Sequence, residues 1–374
     1  MTDEVVFDEL NSTNGRRIGI ATLNAEKSLN ALTLGMIRLL DAQLQRWAAD
    51  DAIACVLLRG AGERAFCAGG DVRAVRDAIL EHRGDGPIPE VVTFFREEYT
   101  LDHRLHTYPK PVIVWGHGIV MGGGLGLMVG VSHRVATPAT RIAMPEITIG
   151  LYPDVAGSWF LQRMPAKLGL FLGLTGAPLN AHDALIVNLA DHVVALDGYP
   201  ELLSRLAATD WADTISSNHA AVTALLNEME CGTHAALPMS NVERQLVAIH
   251  RLMNRGSLAA VAQALTETRF DDPWLQAAAH SFAHGSPSSA AVTWEIYRRA
   301  KHLSLAEALR MELILSVNFC SKPDFREGVR ALLVDKDRQP QWSRKTLVEV
   351  DQAWVDSHFA TPWSDGEHPL AALG

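Results

Sequence analysis

Two carboxylates lie close together in an apolar part of the chain. They are Glu146 and Asp154, in the segment "MPEITIGLYPD" at 144–154. Paired acids of this kind can supply a nucleophile, a general base or a general acid, and each can raise the pKa of the other by charge repulsion. Two purely structural alternatives exist. Glu146 could cap a local turn, and Asp154 could be the N-cap of a helix in "VAGSWFLQRM".

Two glycine-containing turns each follow a predicted buried strand. "FCAGGD" at 66–71 comes after the first strand, and "MGGGLGLMVG" at 121–130 comes after the second. Backbone N–H groups at such turns and at helix starts can donate to a ligand oxygen. Two converging N–H groups would form an oxyanion hole, which suits a thioester under attack or an enolate. The alternative is that both are simple strand-to-helix turns.

A third acidic segment, "FFREEY" at 94–99, places Glu97 and Glu98 on a predicted helix. Taken alone, either side chain could lie on a solvent-exposed face. The glycines of the second turn do not form a dinucleotide-binding motif, because Gly124, Gly126 and Gly130 are spaced one residue too widely for G-x-G-x-x-G. The sequence therefore gives no support to a nicotinamide cofactor.

The elements that must position these residues follow an α/β pattern. The predicted strands are 17–23, 53–60, 111–118, 133–138 and 141–145. Thr33 is the predicted N-cap of a helix over 33–50, and further helices are predicted from Asp71 and through the glycine run. After about residue 200 the apolar residues repeat only at helical spacing. We therefore predict a core over 1–200 that holds the site, followed by a mainly helical region over 201–374.

Composition excludes several classes of function. The 374 residues carry a net charge of −10, which argues against nucleic acid as a partner. No run of about 18 apolar residues is present, and the first residues lack a signal-peptide pattern, so we expect no membrane span and a cytoplasmic protein. The four cysteines are widely spaced without metal-ligand spacing, which predicts reduced thiols. The oligomeric state, monomer or homo-oligomer, stays open.

The motifs together, in this order, resemble the crotonase superfamily, the enoyl-CoA hydratase/isomerase fold. The resemblance is carried by "SLNAL" (28–32), "FCAGGD" (66–71), "GHGIVMGGG" (116–124) and "AMPEITIGLYPD" (143–154). Within that superfamily the chain is most similar to the 3-hydroxyisobutyryl-CoA hydrolase family, through "FFREEY" and "DFREGVRALLVDKDRQPQW" (324–342). The resemblance implies a crotonase-like ββα spiral core.

The resemblance also implies a role for each candidate residue. Gly70 and Gly123 would supply the two oxyanion-hole N–H groups, and Ala68 would lie beside coenzyme A. Glu146 and Asp154 match the two active-site carboxylates of the family, which would bind and act on the substrate. Glu98 matches a substrate-binding acid of the hydrolases. Coenzyme A would be part of the substrate, and no metal or redox cofactor is expected.

One position departs from the hydratase pattern. Hydratases of this superfamily carry a second catalytic Glu where this chain has Gly126. The resemblance therefore favours thioester hydrolysis of a short-chain 3-hydroxyacyl-CoA, most specifically 3-hydroxyisobutyryl-CoA in valine breakdown. Two alternatives remain at this point. The first is an enoyl-CoA isomerase or hydratase-like enzyme, and the second is a non-catalytic acyl-CoA-binding protein.

Overall fold

The computed structural model describes residues 3–230, 237–363 and 368–374. Cys231 lies outside these residues, whereas Cys55, Cys67 and Cys320 are buried and reduced, as predicted. The strands are β1 Val5–Asn11, β2 Arg17–Leu23, β3 Ile53–Gly60, β4 Ala65–Cys67, β5 Val112–Gly116, β6 Ile119–Met121, β7 His133–Ala136, β8 Arg141–Ala143, β9 Leu179–Asn180 and β10 His192–Val193.

Helices make up most of the remaining secondary structure. They are α1 Leu34–Ala49, α2 Val72–Glu81, α3 Pro89–His106, α4 Gly123–Val129, α5 Gly157–Phe160, α6 Leu168–Thr175, α7 Ala181–Ile186, α8 Tyr199–Ala208, α9 Ile215–Glu230, α10 Asn241–Met253, α11 Leu258–Glu267, α12 Pro273–His284, α13 Pro287–Arg299, α14 Leu305–Ser321, α15 Pro323–Val329 and α16 Gln352–Phe359. In the described part of the chain no helix has the length and apolar character needed to cross a bilayer.

Contacts between residues divide the chain into two compact units. Unit 1 contains the described residues of Met1–Gly70, Leu101–Ile142 and Leu179–Glu243. Unit 2 contains those of Asp71–Thr100, Ala143–Pro178 and Arg244–Gly374. Such units are defined by contacts and need not follow sequence domains, so the division predicted at residue 200 stays a prediction.

Unit 1 is built on a six-stranded sheet in the order β1-β2-β3-β5-β7-β10. Only the β1–β2 pair is antiparallel, and the other pairs are parallel. Buried strands of a parallel sheet are apolar on both faces, which explains why β3 and β5 consist almost entirely of apolar residues. A smaller sheet has the order β4-β6-β8-β9, and its first two strands lead into the two glycine turns.

Helix α1 shows how local sequence determines an element of this unit. The side chain of Thr33 accepts a hydrogen bond from Met36 N–H, as the predicted N-cap should. The residues at helical spacing are buried against the sheet. The largest of them, Trp47, has only 2% of its surface exposed. The predicted helix over 33–50 is confirmed to within one residue at each end.

Unit 2 is mainly helical. Among the described helices that lie wholly in this unit α14 is the longest, and it packs against α15 and α16. A capping box holds its start, where the Ser304 side chain accepts from Glu307 N–H and the Glu307 carboxylate accepts from Ser304 N–H. Beyond residue 193 the described elements are all helical, so the predicted α/β fold with a helical C-terminal region is confirmed.

Candidate active site

Glu146 begins a single 3-10 turn, Glu146–Ile149, that follows strand β8 after Pro145. Its side chain is buried, with 5% of its surface exposed. Within the described residues, its Oε2 atom has no hydrogen-bond partner. Burial raises the pKa of Glu146 well above its usual value, and the charge of Asp154 raises that pKa further. A turn cap needs only one carboxylate oxygen, so capping alone does not use Oε2, and the catalytic role of Glu146 stays a prediction.

Asp154 lies in the loop before α5 and is also buried. The Tyr99 hydroxyl donates a hydrogen bond to Asp154 Oδ2 over 2.8 Å. Burial raises the pKa of Asp154 to about 6, while this hydrogen bond lowers it. The N-cap alternative is wrong, because α5 begins at Gly157 and its N-cap residue, Ala156, has no side-chain cap. Asp154 thus does not cap α5, and its role toward a substrate stays a prediction.

The turn that follows Asp154 is strained and is held by a third buried acid, Glu312. Val155 and Ala156 have φ angles of 49° and 68°, a region that costs a residue with a Cβ atom about 1–2 kcal/mol. The Glu312 carboxylate accepts hydrogen bonds from Ala156 N–H at 2.8 Å and from Ser158 N–H at 2.9 Å. It also accepts from the Ser158 hydroxyl at 2.5 Å. Glu312 thus fixes the loop that carries Asp154.

Glu312 is fully buried, and burial raises its pKa to about 8, although the hydrogen bonds from Ser158 and Ala156 oppose that shift. Sequence reasoning did not single out Glu312 or Ser316. A signal was nevertheless present, because both lie on one face of α14 among the buried residues Leu309, Leu313 and Cys320. A charged residue in the middle of an apolar stripe indicates a buried hydrogen-bonding role.

Glu98 lies on α3 directly before Tyr99, and only 2% of its surface is exposed. The alternative of a solvent-exposed side chain therefore does not hold for Glu98. It does hold in part for Glu97, whose side chain is 24% exposed and pairs with Arg96. The assignment of Glu98 as the substrate-binding acid stays a prediction.

In unit 1 the two glycine turns lie side by side. Strands β4 and β6 are parallel neighbours, so their carboxyl ends meet at one edge of the sheet. Gly69 has a φ of 113°, and a Cβ atom built on it would lie 3.9 Å from Gly123 N. A Cβ atom on Gly124 would lie 2.3 Å from the Cys67 carbonyl oxygen, so only glycine permits this approach.

This arrangement brings the segment of Ala68 and Gly70 next to Gly123, the first residue of α4. The N–H of a first helical residue has no acceptor inside its own helix. The predicted oxyanion donors thus come from adjacent turns of unit 1. Their role toward a substrate oxygen stays a prediction, as does the contact of Ala68 with coenzyme A.

The segment "DFREGVRALLVDKDRQPQW" (324–342), called the C-terminal signature below, packs directly on the Glu146 turn. A Cβ atom on Gly328, in α15, would lie 2.4 Å from the carbonyl carbon of Ile149. Asp324, which is buried, accepts hydrogen bonds from the Ser286 hydroxyl and from Ser343 N–H. The backbone of Ser286 in turn donates to the carbonyl of Ile147 at 3.0 Å. The signature therefore acts as a support for the turn that carries Glu146.

The C-terminal signature also contains a cluster of ion pairs around Arg330. Arg330 pairs with Glu327, Asp335 and Asp337 at 2.6–2.8 Å, and the Glu327 carboxylate also accepts from Gln341 N–H. The four paired residues all lie within the segment "DFREGVRALLVDKD" at 324–337. Their mutual pairing raises the pKa of Arg330 and lowers those of Glu327 and Asp337.

Comparison with known proteins gives consistent matches over most of the chain. Residues 18–359 match the model of the enoyl-CoA hydratase/isomerase family. A 3-hydroxyisobutyryl-CoA hydrolase of mitochondria from Danio rerio is 39% identical over 359 residues, which cover 96% of this chain and 90% of that protein. The mitochondrial protein of the same name from Homo sapiens is 35% identical over 369 residues, covering 96% of this chain and 88% of its own.

Two solved structures resemble the whole chain. One is titled a carnitinyl-CoA dehydratase from Mycobacterium thermoresistibile, with a TM-score of 0.83, 37% identity and 98% of each chain covered. The other is titled an enoyl-CoA hydratase from Rhodobacter sphaeroides 2.4.1, with a TM-score of 0.81, 31% identity and 96% and 97% of the two chains covered. The predicted crotonase fold is confirmed.

The prediction of a cytoplasmic location is wrong on these comparisons, because the curated relatives are named as mitochondrial proteins. Net charge and the lack of a long apolar run cannot separate the cytoplasm from the interior of an organelle, since both are aqueous compartments. The sequence argument thus used features that carry no information about the choice.

Proposed function

Because the chain belongs to the enoyl-CoA hydratase/isomerase family, we propose that it hydrolyses 3-hydroxyisobutyryl-CoA to 3-hydroxyisobutyrate and coenzyme A. The observation that carries the proposal is the buried pair Glu146 and Asp154, in a chain 39% identical to a hydrolase of that name. On the same resemblance, we place this reaction in valine breakdown and take a short-chain 3-hydroxyacyl-CoA as the substrate class.

Thioester hydrolysis needs a nucleophile more than it needs a general acid. A thiol has a pKa of about 8.5, so the thiolate leaves without much assistance. Glu146 can attack the carbonyl carbon to form a mixed anhydride that water then opens, or it can take a proton from the attacking water. In both routes the C–S bond breaks, the sulfur leaves as thiolate, and one water is consumed overall. The water supplies the additional carboxyl oxygen that the products need, and one of its protons ends on the thiolate.

The environment of Glu146 suits either route. Its Oε2 atom has no hydrogen-bond partner in the described part of the chain, and burial raises its pKa, which makes the ionised form a stronger base and nucleophile. Asp154 can bind the substrate hydroxyl or orient water. In this proposal Gly70 and Gly123 donate to the thioester oxygen, and Ala68 lies beside coenzyme A. No metal or redox group has a task in the scheme.

The titles of the two similar structures favour a second candidate, reversible hydration of an enoyl-CoA. Hydration puts new bonds on the two carbons beyond the carbonyl and uses one group to activate water and another to protonate carbon. In this chain Gly126, which is buried in α4, stands where hydratases of the family carry the second Glu. Without that acid, hydrolysis at the carbonyl carbon is the better use of Glu146 and Asp154.

The two candidates are separated by two assays on one preparation. Thiol release from 3-hydroxyisobutyryl-CoA is measured beside the loss of enoyl absorbance from crotonyl-CoA. We expect thiol release at a much higher rate than hydration. Fast hydration without thiol release would overturn the hydrolase proposal in favour of the hydratase. Binding without turnover in either assay would support an acyl-CoA-binding protein.

A panel of acyl-CoA thioesters, with and without a 3-hydroxyl group, then defines the substrate class. The Glu146→Gln variant, purified in the same way, reports any thioesterase that copurifies from the host. Size measurement on the same sample establishes whether the chain forms a homo-oligomer.

A further inference from the structure

Three buried hydroxyl groups connect Asp154 to a backbone carbonyl within unit 2. Tyr99 Oη lies 2.8 Å from Asp154 Oδ2 and 2.7 Å from Ser316 Oγ. Ser316 Oγ lies 2.9 Å from Tyr152 Oη, which lies 2.6 Å from the carbonyl oxygen of Glu312. Tyr99, Tyr152 and Ser316 have no exposed surface. We call these groups the hydroxyl chain.

The number of protons in the hydroxyl chain depends on Asp154. It contains four oxygen–oxygen contacts, and each needs one proton between its two atoms. The three hydroxyls supply only three protons. The Glu312 carbonyl cannot donate, so Tyr152 donates to it, Ser316 donates to Tyr152, and Tyr99 donates to Ser316. The fourth contact is then filled only if Asp154 itself carries a proton and donates to Tyr99.

When Asp154 is ionised, the chain is one proton short. Tyr99 must turn its proton toward the carboxylate, and one of the contacts of Ser316, at 2.7 or 2.9 Å, then has two oxygen atoms with no proton between them. A buried polar contact left unsatisfied in this way is costly, because no water replaces the lost hydrogen bond. Ionisation thus reverses the Tyr99 hydroxyl and breaks one link.

We propose that Tyr99, Ser316 and Tyr152 are positioning residues that set the pH at which Asp154 ionises, because their hydroxyl chain is complete only when Asp154 is protonated. As far as it concerns catalysis, this inference rests on the proposed hydrolysis, in which Asp154 takes part. It goes beyond that proposal by assigning a task to three residues on α3, α14 and the loop before Asp154.

Other titratable groups also face Asp154. Glu146 comes from the turn after β8, and Glu312 and Cys320 come from α14. Burial raises the pKa of each, and the charge of Asp154 raises it further. Burial raises the pKa values of Tyr99 and Tyr152, and the charges of Glu312 and Asp154 raise them further, so both phenols stay protonated at neutral pH and remain donors. Variants that remove single hydroxyls leave these acids in place, so a comparison among such variants isolates the hydroxyl chain.

Three single-hydroxyl deletions give shifts of opposite sign. Tyr99→Phe removes the donor to the ionised carboxylate, so the pKa of Asp154 should rise. Ser316→Ala leaves Tyr99 with Asp154 as its only partner, so the ionised form has every contact filled and the pKa should fall. Tyr152→Phe leaves only the contacts of Tyr99 with Asp154 and with Ser316. The protons of Tyr99 and Ser316 fill both contacts when Asp154 is ionised, so the pKa of Asp154 should fall in this variant too. Each shift should be about half a unit or more.

The direct measurement is a 13C NMR titration of the full chain labelled at the aspartate side-chain carboxyl carbon. The Asp154→Asn variant identifies the Asp154 signal by its absence. A rise with Tyr99→Phe and a fall with Ser316→Ala or Tyr152→Phe would support the inference. Shifts of the same sign in all variants, or no shifts, would overturn it, since a purely structural role gives no reason for opposite signs. The two variants expected to lower the pKa replace each other if one fails to fold.

The pH profile of thiol release separates this inference from the proposed function. If Asp154 acts as an anion in hydrolysis, the acid limb of kcat/KM should move with the NMR titration in each variant. If the NMR shifts have the predicted signs while the profile stays in place, the hydroxyl chain is supported and the role of Asp154 in catalysis is refuted.

Discussion

The proposed chemistry depends on the side chain of Glu146. A buried carboxylate with an unbonded oxygen is costly, and proteins keep one mainly where it is used. We expect Glu146→Gln to reduce kcat of thiol release by at least about 100- to 10,000-fold, because the amide keeps the shape but is neither base nor nucleophile. Coenzyme A binding, measured by calorimetry on the same sample, should stay nearly unchanged. Activity within about tenfold of the parent chain would remove Glu146 from this role.

Whether Glu98 recognises the substrate hydroxyl can be tested directly, because its neighbour Glu97 on the same helix provides a control position. A carboxylate that accepts a hydrogen bond from the substrate hydroxyl contributes nothing to a substrate without that hydroxyl. Glu98→Ala should therefore lower kcat/KM for 3-hydroxyisobutyryl-CoA about tenfold or more relative to isobutyryl-CoA, which corresponds to the loss of one charged hydrogen bond. Glu97→Ala, at a position that is 24% exposed, should leave the ratio unchanged. Equal losses on both substrates would show that Glu98 supports the fold.

At the scale of elements, helix α15 fixes the turn of Glu146 through a backbone contact that only glycine allows. In Gly328→Ala the new methyl group would meet the carbonyl carbon of Ile149 at 2.4 Å, and backbone atoms cannot move aside cheaply. We expect a fall in melting temperature of several degrees and a loss of kcat, since the shift displaces the residue that reacts.

The control for this prediction is Gly256→Ala, because a Cβ atom there has no neighbour within 4 Å. That variant should keep its melting temperature and activity. Thermal unfolding and thiol release are measured for both variants in one buffer. A Gly328→Ala variant as stable and active as the Gly256→Ala variant would contradict the proposed support by α15.

Elements with a long periodic pattern could be predicted from the sequence, and those without one could not. Strand β2 and helix α1 were predicted closely because apolar spacing and the Thr33 cap are local signals. Strand β8 was predicted through residue 145 but ends at Ala143, because Pro145 cannot donate to a sheet. Strand β4 has three residues, which is too few to display a period, and β1 was missed because its buried positions do not alternate.

The same limit applies to the candidate site. The acids and glycines were found because their types are unusual within apolar runs. The hydroxyl chain was not found, since Tyr99 and Ser316 are 217 residues apart in sequence and meet only through the fold. Asp154 was open to an N-cap interpretation because the strained residues Val155 and Ala156, which prevent the helix from starting there, have no signature in their side chains.

At the scale of the whole molecule, buried acids and buried histidines make opposite contributions to the pH dependence of stability. Burial lowers the pKa values of His133 and His358 to about 4, so the folded state binds fewer protons there and stability rises with pH until the unfolded histidines lose their protons near 6.5. Burial raises the pKa values of Glu146 and Glu312, so the folded state keeps protons that the unfolded state releases near 4.5. The two effects oppose each other from about pH 4.5 to 6.5.

The histidine contribution is nearly complete only at about pH 7.5, one unit above the pKa of an unfolded histidine, and from there the buried acids dominate the change. The pKa of Glu312 is about 8 in the folded chain, so this acid lowers the free energy of unfolding as pH rises toward 8, by up to about 1.4 kcal/mol per unit, and the net fall should emerge above about pH 7 as the histidine contribution ends. Glu312→Gln should flatten this decline, because the amide does not titrate. It should also lower stability at every pH, because the amide NH2 group then faces a donor, either Ala156 N–H or the Ser158 N–H and hydroxyl groups. Glu307→Gln, an exposed position on the same helix where the pKa of the acid is lowered, should keep the full decline. Urea unfolding at half-unit steps from pH 6 to 8.5 measures all three chains, and a decline that is the same in Glu312→Gln as in the parent would show that Glu312 is ionised throughout this range.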